Sequence, residues 1–218
     1  MFVDLSAIPT LCELYASGAL RAVAASLPVN ARFPPSQRLL DRVSLYQGDI
    51  TKVEVDSIVN AAKRSLLGGG GVDGAIHQAA GPKLVEECET LDGCETGDAK
   101  ITAGYNLPSK HVIHTVGPVY SRSRAEQCAH LLASCYRRSL QIASQHSLKH
   151  IAFPSISTGI YGYPVPDATH IALKETRKFL DSEDSDNFDR VIFVVFSDED
   201  MDVYQELVPL YFPPDESA

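Results

Sequence analysis

A chain of 218 residues with 44% hydrophobic content can bury one sizeable core, and no shift in composition divides it in two. Its net charge of -9 argues against bulk binding of nucleic acid. No apolar run approaches the roughly 18 residues needed to cross a bilayer, and the start, Met1-Phe2-Val3-Asp4-Leu5, lacks the basic and long apolar stretches of a signal peptide.

The expectation is a monomer in the cytoplasm or nucleus with no membrane partner. Cys12, Cys88, Cys94, Cys128 and Cys135 are odd in number and form no CxxC pair, which fits a reducing compartment.

In chain order, residues 8–28 have helical spacing, with Thr10 able to cap and Gly18 interrupting, and predict one or two short helices in an extension over residues 1–40. Residues 30–37, with Pro34 and Pro35, form a connector. The main domain spans 41–213, with a polar tail at 214–218. Strands are expected at 43–47 and 57–61, then a glycine loop and a helix over 73–91 interrupted near Gly81-Pro82. Residues 99–105 and 111–116 read as a strand pair, 125–145 as a long amphipathic helix with Cys128, Leu131, Leu132, Cys135 and Ile142 on one face, and 150–154 as a buried strand. A second glycine loop leads to a helix over 167–180. The acidic segment 181–187 reads as a solvated loop, 191–196 as a central strand and 200–207 as a last helix. Such alternation predicts a three-layer α/β domain whose two glycine loops line one crevice at the carboxyl ends of the strands.

The first loop, Gly68-Gly69-Gly70-Gly71, joins an apolar strand to a helix, which is the setting of a phosphate cradle rather than of a linker. Gly69, Gly71 and Gly74 satisfy G-x-G-x-x-G, but Asp73 would set a carboxylate against a pyrophosphate, and no acidic strand end follows about 20 residues on. A dinucleotide-binding dehydrogenase is rejected on that ground. Asp73 could cap the helix or act in catalysis; His77, four residues on, could orient it or only pack. Asp49 could make an Asx turn or accept from the exocyclic amine of a base. Ser157-Thr158-Gly159-Ile160-Tyr161-Gly162 could be a turn or a second phosphate contact, and Tyr161 and Phe196 could be core residues or cover a sugar and a base. His111 and His114 have no third ligand at metal spacing and read as strand residues.

Together, Gly48-Asp49-Ile50-Thr51, Ile58-Val59-Asn60-Ala61-Ala62, residues 66–81, Gly97-Asp98-Ala99-Lys100-Ile101-Thr102, residues 111–118 and 154–164 resemble a macrodomain of the MacroD type. The resemblance implies a three-layer α/β/α fold with a six-stranded, mixed but largely parallel sheet. It also implies an ADP-ribose cleft and hydrolysis of the bond between ADP-ribose and acidic side chains of mono-ADP-ribosylated proteins, or of O-acetyl-ADP-ribose, without cofactor or metal. By similarity Asp49 takes the adenine amino group, Ile50 and Phe196 enclose the ring, and Ser157, Thr158, Gly159, Ile160 and Tyr161 hold the diphosphate. Asn60, Gly69, Gly70, Gly71 and Val72 surround the distal ribose and second phosphate, while Asp73, with His77 beside it, positions water at the anomeric carbon. The family's Val-Asn-Ala-Ala-Asn reads Val59-Asn60-Ala61-Ala62-Lys63 here. An amide donates and accepts, whereas an ammonium only donates. Lys63 therefore opens an alternative, a non-catalytic or weakly catalytic ADP-ribose reader.

Overall fold

The computed structural model describes residues 2–22 and 33–215, so the part of the expected first helical region beyond residue 22, the start of the connector and the last tail residues lie outside the described residues. The chain opens with β1 (Val3–Asp4), one helical turn and α1 (Leu11–Ala16). Thr10 caps α1 with a full capping box: its hydroxyl accepts from the Glu13 amide while the Glu13 carboxylate accepts from the Thr10 amide. Then come α2 (Gln37–Leu40), β2 (Val43–Gln47), β3 (Val53–Glu54), β4 (Ser57–Ala61), α3 (Gly71–Ala80) and α4 (Pro82–Thr90). The second half holds β5 (Ala99–Ala103), β6 (His111–Thr115), α5 (Ala125–Gln145), β7 (His150–Phe153), α6 (Val165–Leu180), β8 (Arg190–Val195) and α7 (Asp198–Tyr211).

Six strands form one sheet in the order β2-β8-β7-β4-β6-β5. All neighbours run parallel except β5, which is antiparallel to β6 at the edge. Strand residues alternate between two cores. Val191, Phe193 and Val195 of β8 pack with α5, α6 and α7 on one face, while Ile192 and Val194 join Ile76 of α3 and Leu84 of α4 on the other. This is the expected three-layer, six-stranded mixed sheet. β8 is apolar because both its faces are covered, but that holds for any interior strand; β7 and β4 are the central pair, and β8 lies next to the edge. The acidic segment is not entirely a solvated loop either, since Glu183–Ser185 forms a helical turn whose Ser185 is fully buried.

The N-terminal segment is laced into this domain. β1 pairs with β3 in parallel, Ile8 is buried in one core and Leu11 in the other. Arg177 on α6, 2% exposed, donates to the carbonyls of Pro34 and Tyr211 and lies over the ring of Phe33, which holds the segment before α2 against the C-terminal helix. All five cysteines are free. Among the described residues, no helix is long and apolar enough to cross a membrane.

Candidate active site

The five parallel strands release their carboxyl-terminal loops on one edge of the sheet, and these loops surround a cavity of about 620 Å³. Its wall carries Gly48, Asp49 and Ile50 after β2, Ala61 to Lys63 at the end of β4, Gly117 after β6, Pro154, Ser155 and Ser157 to Tyr161 after β7, and Phe196 after β8. A crevice at the carboxyl ends of strands is the general ligand position in open α/β sheets.

One end is built by the first glycine loop and α3. The glycine run lets the loop fold against the helix: a Cβ at Gly74 would lie 2.4 Å from the carbonyl oxygen of Gly69. α3 begins at Gly71, two residues earlier than the sequence predicts, with Gly70 as its N-cap and no side chain capping it. Its first turn, Gly71 to Asp73, lies on the cavity wall, so N–H groups without an intrahelical partner stand at the site. Asp73, in this first turn, is 4% exposed and lines the cavity. Its Oδ1 accepts from Asn60 Nδ2 at 2.8 Å. His77 Nε2 lies 3.5 Å from the same oxygen, too far for a good hydrogen bond. Burial, and secondarily Lys63, lower the pKa of His77 against the opposing pull of Asp73, so its ring is neutral near pH 7. Lys63 is exposed on the wall, and among the described residues it makes no ion pair or hydrogen bond.

The middle is the second glycine loop. Ser157 is buried with φ 67°, and among the described residues no group accepts from the amides of Gly159, Ile160 or Tyr161. Ile160 is 84% exposed and leans toward Gly70 from across the opening: a Cβ there would stand 3.4 Å from its Cδ1. The two loops thus meet over the cavity.

At the far end Asp49 does make the Asx turn, accepting from the Thr51 amide at 2.9 Å and the Thr51 hydroxyl at 2.7 Å through Oδ1 alone. Among the described residues Oδ2 makes no such bond. Ile50 is buried beneath it, whereas Phe196 is 82% exposed on the wall and cannot be a core residue.

Of the site residues expected from sequence, Asn60 and His77 are not on the cavity wall. Asn60 is fully buried behind Asp73, and His77 sits one turn beyond Asp73 on the same helix face, against Gly68. Sequence reasoning passed over Gly117, Ser155 and Asp200 on the wall. Asp200 read only as a helix-start residue, and its amide is capped by Ser197. Folding also brings His77 and Cys88 to within 4.8 Å of His114, a grouping that spacing along the chain does not reveal. These donors fit a hydrogen-bonded core better than a metal: burial pushes the Cys88 thiol up to about 11, and His114 Nε2 lies 2.9 Å from Thr102 Oγ1.

The Macro domain family matches residues 59–172. The chain is 52% identical over 185 residues to ADP-ribose glycohydrolase MACROD1 of Rattus norvegicus, covering 84% of this chain and 71% of that protein. Against further MACROD1 and MACROD2 proteins it spans 38% to 64% of their length. Among solved structures, the macro domain of ganglioside induced differentiation associated protein 2 superposes with a TM-score of 0.86 at 36% identity, covering 97% of both chains. A Trypanosoma brucei macrodomain in complex with ADP-ribose superposes with a TM-score of 0.79 at 39% identity, covering 95% of this chain and 77% of that one. The chain belongs to the macrodomain family, within its MacroD type.

Proposed function

We propose that this chain binds ADP-ribose and hydrolyses the bond joining it to acidic side chains of mono-ADP-ribosylated proteins. The observation that carries the reading is the placement of Asp73: a nearly buried carboxylate at the inner end of the cavity, beside the free N–H groups of α3, with an exposed aromatic ring and a second carboxylate at the other end. A ligand with a base, a diphosphate and a distal sugar matches that order of groups. The volume also falls within the roughly 300–1,000 Å³ of small-molecule sites.

In this reading the base stacks on Phe196 and donates its amino group to Asp49, while the amides of Gly159 to Tyr161 and of the α3 turn take the diphosphate. The distal ribose then lies between Gly69 to Val72 and Asp73. Asp73 orients a water on the anomeric carbon; the water oxygen bonds to that carbon as its bond to the acyl oxygen breaks, the released carboxylate keeps the electron pair, and the proton lost by the water passes through Asp73 to solvent. Lys63, an exposed cation on the same wall, offsets the charge on that leaving group.

A second reading rests on Lys63. Because an ammonium cannot accept a hydrogen bond, a site that uses Lys63 only to hold phosphate would be a reader without turnover. Calorimetric titration with ADP-ribose, run beside release of ADP-ribose from an auto-modified transferase, separates the two. Release by the native chain that is lost in Asp73→Ala supports the hydrolase. Binding without release, with release gained in Lys63→Asn, overturns it in favour of the reader.

A further inference from the structure

Behind the cavity wall, four side chains from three adjacent strands and one helix form a continuous buried chain of hydrogen bonds. Asn60 on β4, His114 on β6, Thr102 on β5 and Asp73 on α3 are each at most 4% exposed. Asn60 and His114 are direct cross-strand partners in the β4–β6 register, so their side chains share one face of the sheet. Asn60 Nδ2 lies 2.8 Å from Asp73 Oδ1 and 3.1 Å from His114 Nδ1, and His114 Nε2 lies 2.9 Å from Thr102 Oγ1.

Counting protons gives this chain a single direction. An amide nitrogen has two protons and accepts nothing, so it satisfies both neighbours only when His114 Nδ1 is unprotonated. The His114 ring then carries its proton on Nε2 and donates it to Thr102 Oγ1, whose own proton goes to the Ala103 carbonyl at 3.2 Å. Burial keeps the ring neutral, pulling its pKa down to about 3, with His77 adding to the effect. Reversing the Asn60 amide would set its carbonyl against a carboxylate oxygen.

The arrangement has a cost. Among the described residues Asn60 Oδ1 is buried with no partner, and an orphaned buried acceptor is destabilising. A network serving stability alone has no reason to leave that group unpaired. What the network does hold is one oxygen of Asp73. His77 is too far to share the task, and among the described residues no other side chain bonds to Asp73. The second oxygen, Oδ2, is left on the Gly69 side, 3.0 Å from where a Cβ of that residue would stand.

We propose that Thr102, His114 and Asn60 are positioning residues that clamp the inner oxygen of Asp73 and so aim the outer one at the distal end of the cavity. The inference rests on the reading of Asp73 as the group that orients water. Without the clamp, the carboxylate turns about its last side-chain bond and water is held in several places, and a misplacement of about 1 Å can cost on the order of a hundredfold in rate. None of the three residues lines the cavity.

Thr102→Val tests this at two removes from the ligand. It keeps the shape of the side chain but takes away the oxygen acceptor for His114 Nε2–H, leaving only Cys88 Sγ at 3.7 Å, so the ring is no longer fixed in the position where its Nδ1 accepts from Asn60. The expected result is ADP-ribose affinity within about twofold of the native protein and kcat for ADP-ribose release reduced on the order of ten- to a hundredfold, with Thr102→Ser restoring it. In nitrogen NMR the native His114 should appear as the neutral Nε2–H form between about pH 5 and 8, with its Nε2 resonance displaced in Thr102→Val as the hydrogen bond to the hydroxyl is lost. Native turnover in Thr102→Val, equal losses in affinity and kcat, or failure of Thr102→Ser to restore the rate would each overturn the clamp alone. A native chain that binds ADP-ribose yet releases none would overturn the hydrolytic reading and the clamp with it.

Discussion

Gly117, on the loop leaving β6, faces Ser157, on the loop leaving β7, with no room for a side chain between them. A Cβ at Gly117 would lie 2.1 Å from Ser157 Oγ and 2.8 Å from Ile156 Cγ2. Ser157 is also held in the left-handed region, which costs an L-residue roughly 1–2 kcal/mol. The close approach therefore fixes the start of the loop whose amides face the cavity. Gly117→Ala should push Ser157 outward and weaken ADP-ribose binding by about 1–3 kcal/mol, the usual cost of overpacking. Adding Ser157→Gly removes the clashing oxygen and eases the backbone, so the double variant should bind more tightly than Gly117→Ala alone. Calorimetric titration of the four proteins checks this; strictly additive losses would mean the two residues act independently.

Asp49 uses one carboxylate oxygen for its turn and leaves the other for a ligand, so its two roles can be separated. Asp49→Asn keeps an acceptor for Thr51 but offers an amide donor where the base needs an acceptor. The expected outcome is unchanged thermal stability, with binding of ADP-ribose weakened by about 1–3 kcal/mol. The hypoxanthine analogue, which presents a carbonyl in place of the amino group, should lose less or gain. Equal losses for both bases would remove Asp49 from adenine recognition.

Lys63 makes a different kind of prediction, because an exposed charge acts through a screened field. If its ammonium pairs with the diphosphate, affinity for ADP-ribose should fall as salt rises above about 0.1 M, where the Debye length is near 10 Å. Lys63→Ala should lose about 0.2–1 kcal/mol of binding at low salt and lose most of the salt dependence with it. A variant with the same salt slope as the native chain would show that Lys63 does not touch the phosphates.

Much of this was legible in the sequence because local pattern and tertiary role coincide. The strand at 43–47, the one at 57–61 and the long α5 helix appear at their expected bounds, since apolar period, caps and glycines agree there. The cavity loops were legible because glycines and hydroxyls after buried strands are unusual. What stayed hidden depends on register and on contacts distant in sequence. His114 read as an ordinary strand residue, and nothing local says that pairing places it opposite Asn60. Gly117 gave no separate signal because its constraint comes from a residue 40 positions away. Asn60 lies behind Asp73 rather than on the cavity wall once β4 and α3 pack together, while His77 stands beside Asp73 as its spacing suggests.

Asp56, just before β4, ties together the sheet edge opposite the cavity. Its Oδ1 accepts from Lys110 Nζ at 2.7 Å, and its Oδ2 accepts from the Lys149 amide at 2.8 Å and the His150 amide at 3.3 Å, joining the approaches to β4, β6 and β7. Burial alone would raise its pKa, but the hydrogen bonds from Lys110 and Lys149 and the nearby charge of His150 outweigh it, and the folded value is below the ordinary 3.8. A carboxylate with a lowered folded pKa contributes stability that is fully present above its unfolded value and is lost as pH falls through the folded one. His77, His114 and His150 work at higher pH: burial lowers each below the ordinary 6.5, so the unfolded chain takes up their protons first and stability declines as pH drops from about 6.5. Urea unfolding across pH should thus show a gradual loss from about pH 6.5 and a further one below about pH 4. Asp56→Asn should cost about 1–3 kcal/mol at pH 7, because it replaces an acceptor with a donor facing Lys110 or a backbone amide. That difference should begin to shrink as pH falls below the ordinary 3.8 and go on shrinking through the lower folded pKa. A difference that stays constant from pH 7 to 3 would mean that packing, not the charge of Asp56, holds the three approaches together.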